Sequence, residues 1–305
     1  MPVIPDLDGR TWWAALTSLG KQMDDKNLSL IAAGVAFYGL LAVFPGIAAV
    51  IAIWGLVGDR TVIMQQLEQL RVLLPGDVYS LLADQITNLT TAGTDALGLA
   101  GAISIILAIW SARAGVAALI RGMNAVYDEH SRSGIWHHVM ALILTLSLMV
   151  VALVALGTVV VVPILMALLP LGEGTKLMLE ILRWVIVVAV LLIGAGLVYR
   201  YGPNRRAARL PWITPGAVLA VILWAGASAG FSLYLRNFGN YNEIYGSLGA
   251  VVALMVWLYI SGLLLLLGAA VNAQLERHTE PDSTVGAARP RGQRGAEAAD
   301  TYIDT

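Results

Sequence analysis

Apolar residues in this chain run in long uncharged blocks separated by short charged stretches. Free of Asp, Glu, Lys and Arg are residues 27–58, 96–112, 133–172, 184–199, 210–235 and 244–275. A helix crosses the hydrocarbon of a bilayer with roughly 20 predominantly apolar residues, at about 1.5 Å each. Six crossings are therefore predicted, and the chain reads as an all-α, polytopic membrane helix bundle. The second and fourth blocks are short, which calls for thin membrane or for flanking Arg side chains that snorkel. The third contains Pro163, read as a kink or an end-of-helix stop.

Between the first two spans, in residues 59–95, Met64, Leu67, Leu70, Leu74, Leu81, Leu82, Ile86 and Leu89 recur at spacings of mostly three and four. Two amphipathic helices broken at Pro75-Gly76 fit this extracytoplasmic segment, packed on the bundle or resting on lipid headgroups. Residues 1–27 form a cytoplasmic segment with no apolar core of a cleavable signal. The membrane domain is 28–278, and the Gly-, Ala-, Arg- and Pro-rich residues 279–305 read as a disordered cytoplasmic tail.

Composition extends the pattern to the whole chain. Hydrophobic residues are 58% and charged residues 13%, where a soluble domain carries about 25% charge. A net charge of −1 supplies no field to hold nucleic acid, and the absence of Cys excludes disulfides and thiolate metal sites. Lys and Arg number 14 on the side of the two termini and five on the other, so both termini are expected in the cytoplasm.

Polar residues inside spans are the candidates for function, because hydrocarbon tolerates them only beside a partner or a water-filled path. Thr145, Ser147, Thr158, Ser228, Ser232 and Ser261 are mild, since hydroxyls can bond the carbonyl one turn earlier. In the 110–129 segment, Arg113, Ala117, Arg121 and Asn124 follow one helical stripe, and Gly115, Ala118 and Gly122 form a small-residue ridge for close helix approach. The stripe is either a solvated face or the cationic edge of a substrate path. Gly226 and Gly230 make a GxxxG pattern that favours a tight crossing. Gly34, Gly39, Pro45 and Gly46 interrupt the first span, as broken helices do at transporter sites. The substrate-path candidates are Tyr38, Pro45, Arg113, Arg121, Asn124, Tyr245, Trp257, Tyr259 and Asn272.

Enzymatic readings fare poorly. The four histidines offer no metal pair at i, i+4 spacing, and no GxSxG elbow, P-loop or intramembrane carboxylate pair occurs. No catalytic residue, metal or cofactor is expected.

The stretch Phe238-Gly239-Asn240-Tyr241-Asn242-Glu243-Ile244-Tyr245-Gly246-Ser247-Leu248-Gly249-Ala250, followed by Trp257-Leu258-Tyr259 and by Gly268 to Glu276, resembles the signature end of the YihY/BrkB family of bacterial inner-membrane proteins. Pro215-Gly216-Ala217 with Trp224, Ser228, Phe231 and Tyr234, Arg113 through Glu129, and Ala36-Phe37-Tyr38 with Phe44-Pro45 extend the resemblance over about residues 20–278. The resemblance implies an envelope protein, associated in some members with resistance to host killing. Many relatives carry GAELNAELE where this chain has GAAVNAQLE, so Ala270 and Gln274 replace two acids and a coupling carboxylate there is not expected. An old ribonuclease label of the family has no support in these residues. Two functions follow: a transporter or exporter of a small amphipathic or organic solute or a lipid, without its own ATPase, or a non-transporting envelope protein that binds a periplasmic partner. The lipid bilayer is a partner in both and nucleic acid in neither.

Overall fold

The computed structural model describes residues 9–57, 94–132, 134–168, 172–205, 214–237, 247–277, 290, 292–294 and 296–301. Among the described residues there are eight helices and no strand: α1 (Gly9–Asp25), α2 (Leu28–Val57), α3 (Thr94–Tyr127), α4 (Ile135–Leu168), α5 (Glu173–Tyr201), α6 (Pro215–Asn237), α7 (Ser247–Arg277) and α8 (Glu297–Asp300). Six of them, α2 to α7, are long and apolar enough to cross a membrane. They carry exposed apolar side chains such as Leu30, Ile106, Leu153, Val185 and Ile222. Water would penalise such a surface, whereas lipid tails are as apolar as the side chains themselves. The all-α, six-span architecture is thus present; the amphipathic segment, apart from Thr94 and Asp95 at the start of α3, lies outside the described residues.

Helices outrun the uncharged blocks. The two spans that read as short belong to helices of 34 and 29 residues, α3 and α5. Thin membrane is therefore not required. Charges are accommodated along the helices: the Arg113 guanidinium lies 4.7 Å from the centre of the Trp110 ring, and Arg183 pairs with Glu180 while lying 5.4 Å from the centre of the Trp184 ring. Pro45 and Pro163 sit inside α2 and α4, so the stop reading of Pro163 is corrected. Each proline removes one ladder bond, but backbone groups flanking it in lipid have no alternative to the helix.

Turns at the charged ends use residues that tolerate left-handed backbone. Asn27 (φ 52°) separates α1 from α2. Asp128 (φ 56°) ends α3, with its own N–H on the Ala125 carbonyl and the Glu129 N–H on the Asn124 carbonyl at 2.8 Å, a Schellman closure.

The chain divides into two compact units. One comprises Met1–Gly34, Val116–Gly230 and Tyr259–Thr305; the other comprises Val35–Gly115 and Phe231–Leu258. In the first, α4 packs along α5, with Val151 3.1 Å from where a Cβ on Gly194 would stand. Ala117, Ile120, Ala141 and Leu144 form one core cluster, and Leu19 of α1 joins Leu219, Val271 and Leu275 in another. A Cβ on Gly122 would come within 2.5 Å of Leu266. In the second unit, Gly115 lies against Tyr38 and Gly39, and Gly39 against Leu258. Gly115 and Gly122 of the ridge are thus each points of close approach within their own unit. Gly226 and Gly230 are exposed with nothing within 4 Å of an added Cβ, so the expected tight GxxxG crossing is absent among the described residues.

Of residues 279–305, those described include a short turn around α8. Ala296 and Ala298 are buried, the Glu297 N–H donates to Glu129 Oε1 at 3.0 Å, and Asp300 Oδ1 accepts from the N–H groups of Gly292 and Arg294. Small side chains let this turn pack closely, and the Asp300 carboxylate closes it.

Candidate functional site

At the charged end of the first unit, buried polar side chains join α3, α6, α7 and the segment after α5. Thr214 caps α6: its hydroxyl accepts the Ala217 N–H at 3.1 Å and its carbonyl accepts the Val218 N–H. Pro215, at the first helical position, has no N–H to satisfy. The remaining donor, Gly216 N–H, goes to Asn272 Oδ1 at 2.8 Å, and Asn272 Nδ2 donates to Thr214 Oγ1 at 2.8 Å. Every orphan N–H in the first turn of α6 is accounted for. The backbones touch here, since a Cβ on Gly216 would stand 1.9 Å from the Gly268 carbonyl oxygen. Tyr199 adds a bond from its hydroxyl to the Leu265 carbonyl at 2.9 Å.

Beyond this plug lies an ionic layer. Arg205 pairs with Glu276, both side chains being almost wholly buried, and its guanidinium lies 4.5 Å from the centre of the Tyr127 ring. Burial alone would lower the Arg205 pKa, but the Glu276 carboxylate and other neighbours outweigh it and hold the guanidinium above its usual value. Arg277 reaches Asp128 at 2.7 Å, and Lys26 pairs with the same carboxylate. Arg132 donates to the carbonyls of Tyr201, Gly202 and Pro203. Asn124 Oδ1 accepts the Asn204 N–H at 2.7 Å. Partial burial raises the Glu129 carboxyl above its ordinary value, against the opposing hydrogen bond from Glu297.

On the membrane side of the plug, α4, α5, α6 and α7 surround an apolar cavity of about 220 Å³. Its wall includes Val151 and Ala155, Leu191 and Ala195, Ala220 and Trp224, and Ser261 and Leu265. The two polar side chains in it bond to each other, Trp224 Nε1 to Ser261 Oγ at 2.9 Å. Gly194, Ala195, Val198 and Ala220 are buried, whereas Ala152 is exposed and Ala155, Trp224 and Ser261 are half-buried. Toward the plug its wall is backed by the buried Val198 and Ala220, and it is exposed at Ala152 on α4.

None of the substrate-path candidates lines this cavity. Asn124 and Asn272 are buried at the charged end, their side-chain oxygens accepting backbone N–H groups. Arg121 is exposed and Tyr259 half-buried in the same unit. Tyr38, Pro45, Arg113 and Trp257 are half-buried in the second unit. Tyr245 lies outside the described residues. The four positions of the proposed stripe do not share one environment, since Arg121 is exposed beside buried Ala117 and Asn124. Residues not singled out as candidates, notably Arg205, Thr214, Gly216 and Glu276, carry the polar end. Thr214-Pro215 is a legible cap signal, but the Arg205–Glu276 pairing spans 71 positions and leaves no local trace.

The family described as virulence factor BrkB matches residues 19–293, nearly the whole chain. The chain belongs to this family. A relative in Bacillus subtilis (strain 168), called a putative ribonuclease-like protein YfkH, is 36% identical over 195 residues, which is 58% of this chain and 66% of that protein. A UPF0761 membrane protein of Xanthomonas campestris pv. campestris (strain B100) is 44% identical over 79 residues, 26% of this chain and 18% of its own length. One of Aeromonas salmonicida (strain A449) is 41% identical over 87 residues, 28% of this chain and 30% of its own. The matches thus span less than two thirds of these relatives. No solved structure matches the chain. The BrkB-family chain described here is an integral, multi-pass membrane protein.

Proposed function

We propose that this BrkB-family protein is a transporter or exporter of an amphipathic solute or a lipid in a bacterial inner membrane, with both termini cytoplasmic and no ATPase of its own. The observation that carries the reading is the cavity among α4, α5, α6 and α7, set within membrane-crossing helices and backed by buried Val198 and Ala220 toward the charged end. A solid bundle has no need of such a space, because an unfilled apolar void forfeits dispersion contacts along its whole wall. Alternating access needs a site reachable from one side and closed on the other. The Thr214–Gly216–Asn272 plug and the Arg205–Glu276 layer supply the closure. For carriage of a polar solute alone, the wall offers too few polar groups.

Reconstitution in phosphatidylethanolamine–phosphatidylglycerol vesicles tests this. Movement of a fluorescent phospholipid or of members of an organic-solute panel, reduced in Ala155→Phe, is expected; no movement with either kind of probe overturns the reading. The protein is proposed not to be a nuclease, and RNA degradation by contaminant-free protein would overturn that part.

A further inference from the structure

We infer that the cavity among α4, α5, α6 and α7 is a binding site for a single hydrocarbon chain of a membrane amphiphile, threaded between the helices with its tip against Val198 and Ala220. The inference deepens the transport reading and rests on it for the chain's role, though not for its presence. Three observations fix the class of occupant.

The first is chemistry. Apart from the Trp224–Ser261 pair, which bonds to itself, the wall is aliphatic. Ordered water needs two to four polar partners, and apolar cavities stay dry. Neither a polar solute nor a headgroup could repay its desolvation against Leu191, Ala195 and Leu265.

The second is size and shape. An engineered apolar cavity of about 150 Å³ already admits benzene, and this one is about 220 Å³. Along α4 its wall runs from Leu148 to Ala155 and along α5 from Leu191 to Val198, which at 1.5 Å per residue is roughly 10 Å parallel to the helices. That is a slot aligned with the direction in which lipid chains lie.

The third is access. The wall near Val198 and Ala220 is backed by the contact of Gly216 with Gly268 and by the Tyr199–Leu265 bond, and part-way along α4 the wall residue Ala152 is exposed, which puts the opening on the side of the slot. Around α4 to α7 the surrounding medium is lipid hydrocarbon. What stands at that opening is therefore a chain.

The test uses the full chain in phosphatidylethanolamine–phosphatidylglycerol vesicles doped with a phospholipid carrying a diazirine near its chain terminus. After irradiation, adducts are located by residue-level mass spectrometry. Gly194, Ala195 and Ala220 are buried and line the cavity, whereas Val185 is exposed on α5 and reports ordinary lipid contact. Adducts are expected on both sets. In Ala155→Phe the wall adducts should fall by about tenfold, which takes the loss of only about two methylenes' burial, with Val185 unchanged; Ala155→Leu repeats the test with less bulk should the Phe variant fail to fold. A Val185→Phe control should leave the wall adducts intact. Adducts on Val185 with none on the wall, or wall adducts indifferent to filling, overturn the site. Wall labelling without phospholipid or solute movement overturns transport and leaves the chain site standing; movement without wall labelling does the reverse.

Discussion

Asn272 accepts the backbone N–H of Gly216 at 2.8 Å across 56 positions of sequence. The bond makes a mid-chain helix N-terminus depend on the last membrane helix. Replacing Asn272 by Ala leaves a buried donor without a partner and frees the Thr214 hydroxyl, a loss expected at about 1–3 kcal/mol. Gly216→Ala should be worse, roughly 4 kcal/mol or more, because its Cβ would overlap the Gly268 carbonyl and no flexible side chain can give way. Thermal unfolding in one detergent checks both. Gly216→Ala unfolding like wild type would contradict the packing.

How much of this could be read from sequence depends on distance along the chain. Each uncharged block falls within a transmembrane helix or slightly beyond its ends, because hydrocarbon excludes charge wherever the helix is in contact with it. Their ends were not legible: α3 continues past Arg113 and Arg121 to Tyr127, and α5 begins before Lys176 and Arg183. Ion pairs and aromatic faces hold such charges, so a block marks the hydrocarbon and not the helix. Hydroxyls behaved locally, as Thr145, Ser147 and Thr158 each bond the carbonyl four residues earlier. Helix α1 was not foreseen, although Leu16, Leu19 and Met23 have helical spacing. Asn272 was legible as a buried polar residue, but its partner at Gly216 was not. The cavity had no signature at all, since its wall residues read as any other Leu, Val, Ala and Gly of a span.

Arg205 and Glu276 form a pair whose worth lies in its completeness. Removing one partner strands the other charge in a buried layer, at about 3–5 kcal/mol. Arg205→Met and Glu276→Leu should each destabilise strongly, while the double variant should recover most of the loss, since apolar side chains of similar size replace a buried ion pair at little cost. A double-mutant cycle on thermal or denaturant stability measures this. Additive single losses would mean the two side chains are not coupled.

Orientation has a direct assay because the chain contains no Cys. Ser131, on the turn between α3 and α4, and Thr175, at the start of α5, are exposed at opposite ends of α4. A membrane-impermeant maleimide added to intact spheroplasts should modify Thr175→Cys and spare Ser131→Cys, and inverted vesicles should give the reverse. The opposite result would place the termini outside.

Glu129 gives the charged end a pH dependence whose sign follows from its environment. Partial burial raises its carboxyl above the ordinary value, and the charged neighbours include Arg205, Glu276 and Glu297. A carboxyl whose pKa is higher in the folded state binds its proton more tightly there, so folding is favoured by acid over the interval between the ordinary and the raised value. Below the ordinary carboxylate pKa both states are protonated and the cost of burying charge is absent; above the raised value it is fully present. Stability measured against pH should therefore decline more steeply in wild type than in Glu129→Gln as pH rises through that interval. Above it, the Gln variant should be the more stable of the two, since its Oε1 can still accept the Glu297 N–H; Glu129→Ala removes that acceptor, and the tail turn should then detach and become protease-sensitive. Parallel pH profiles with an undisturbed tail would show that Glu129 is solvated and plays neither part.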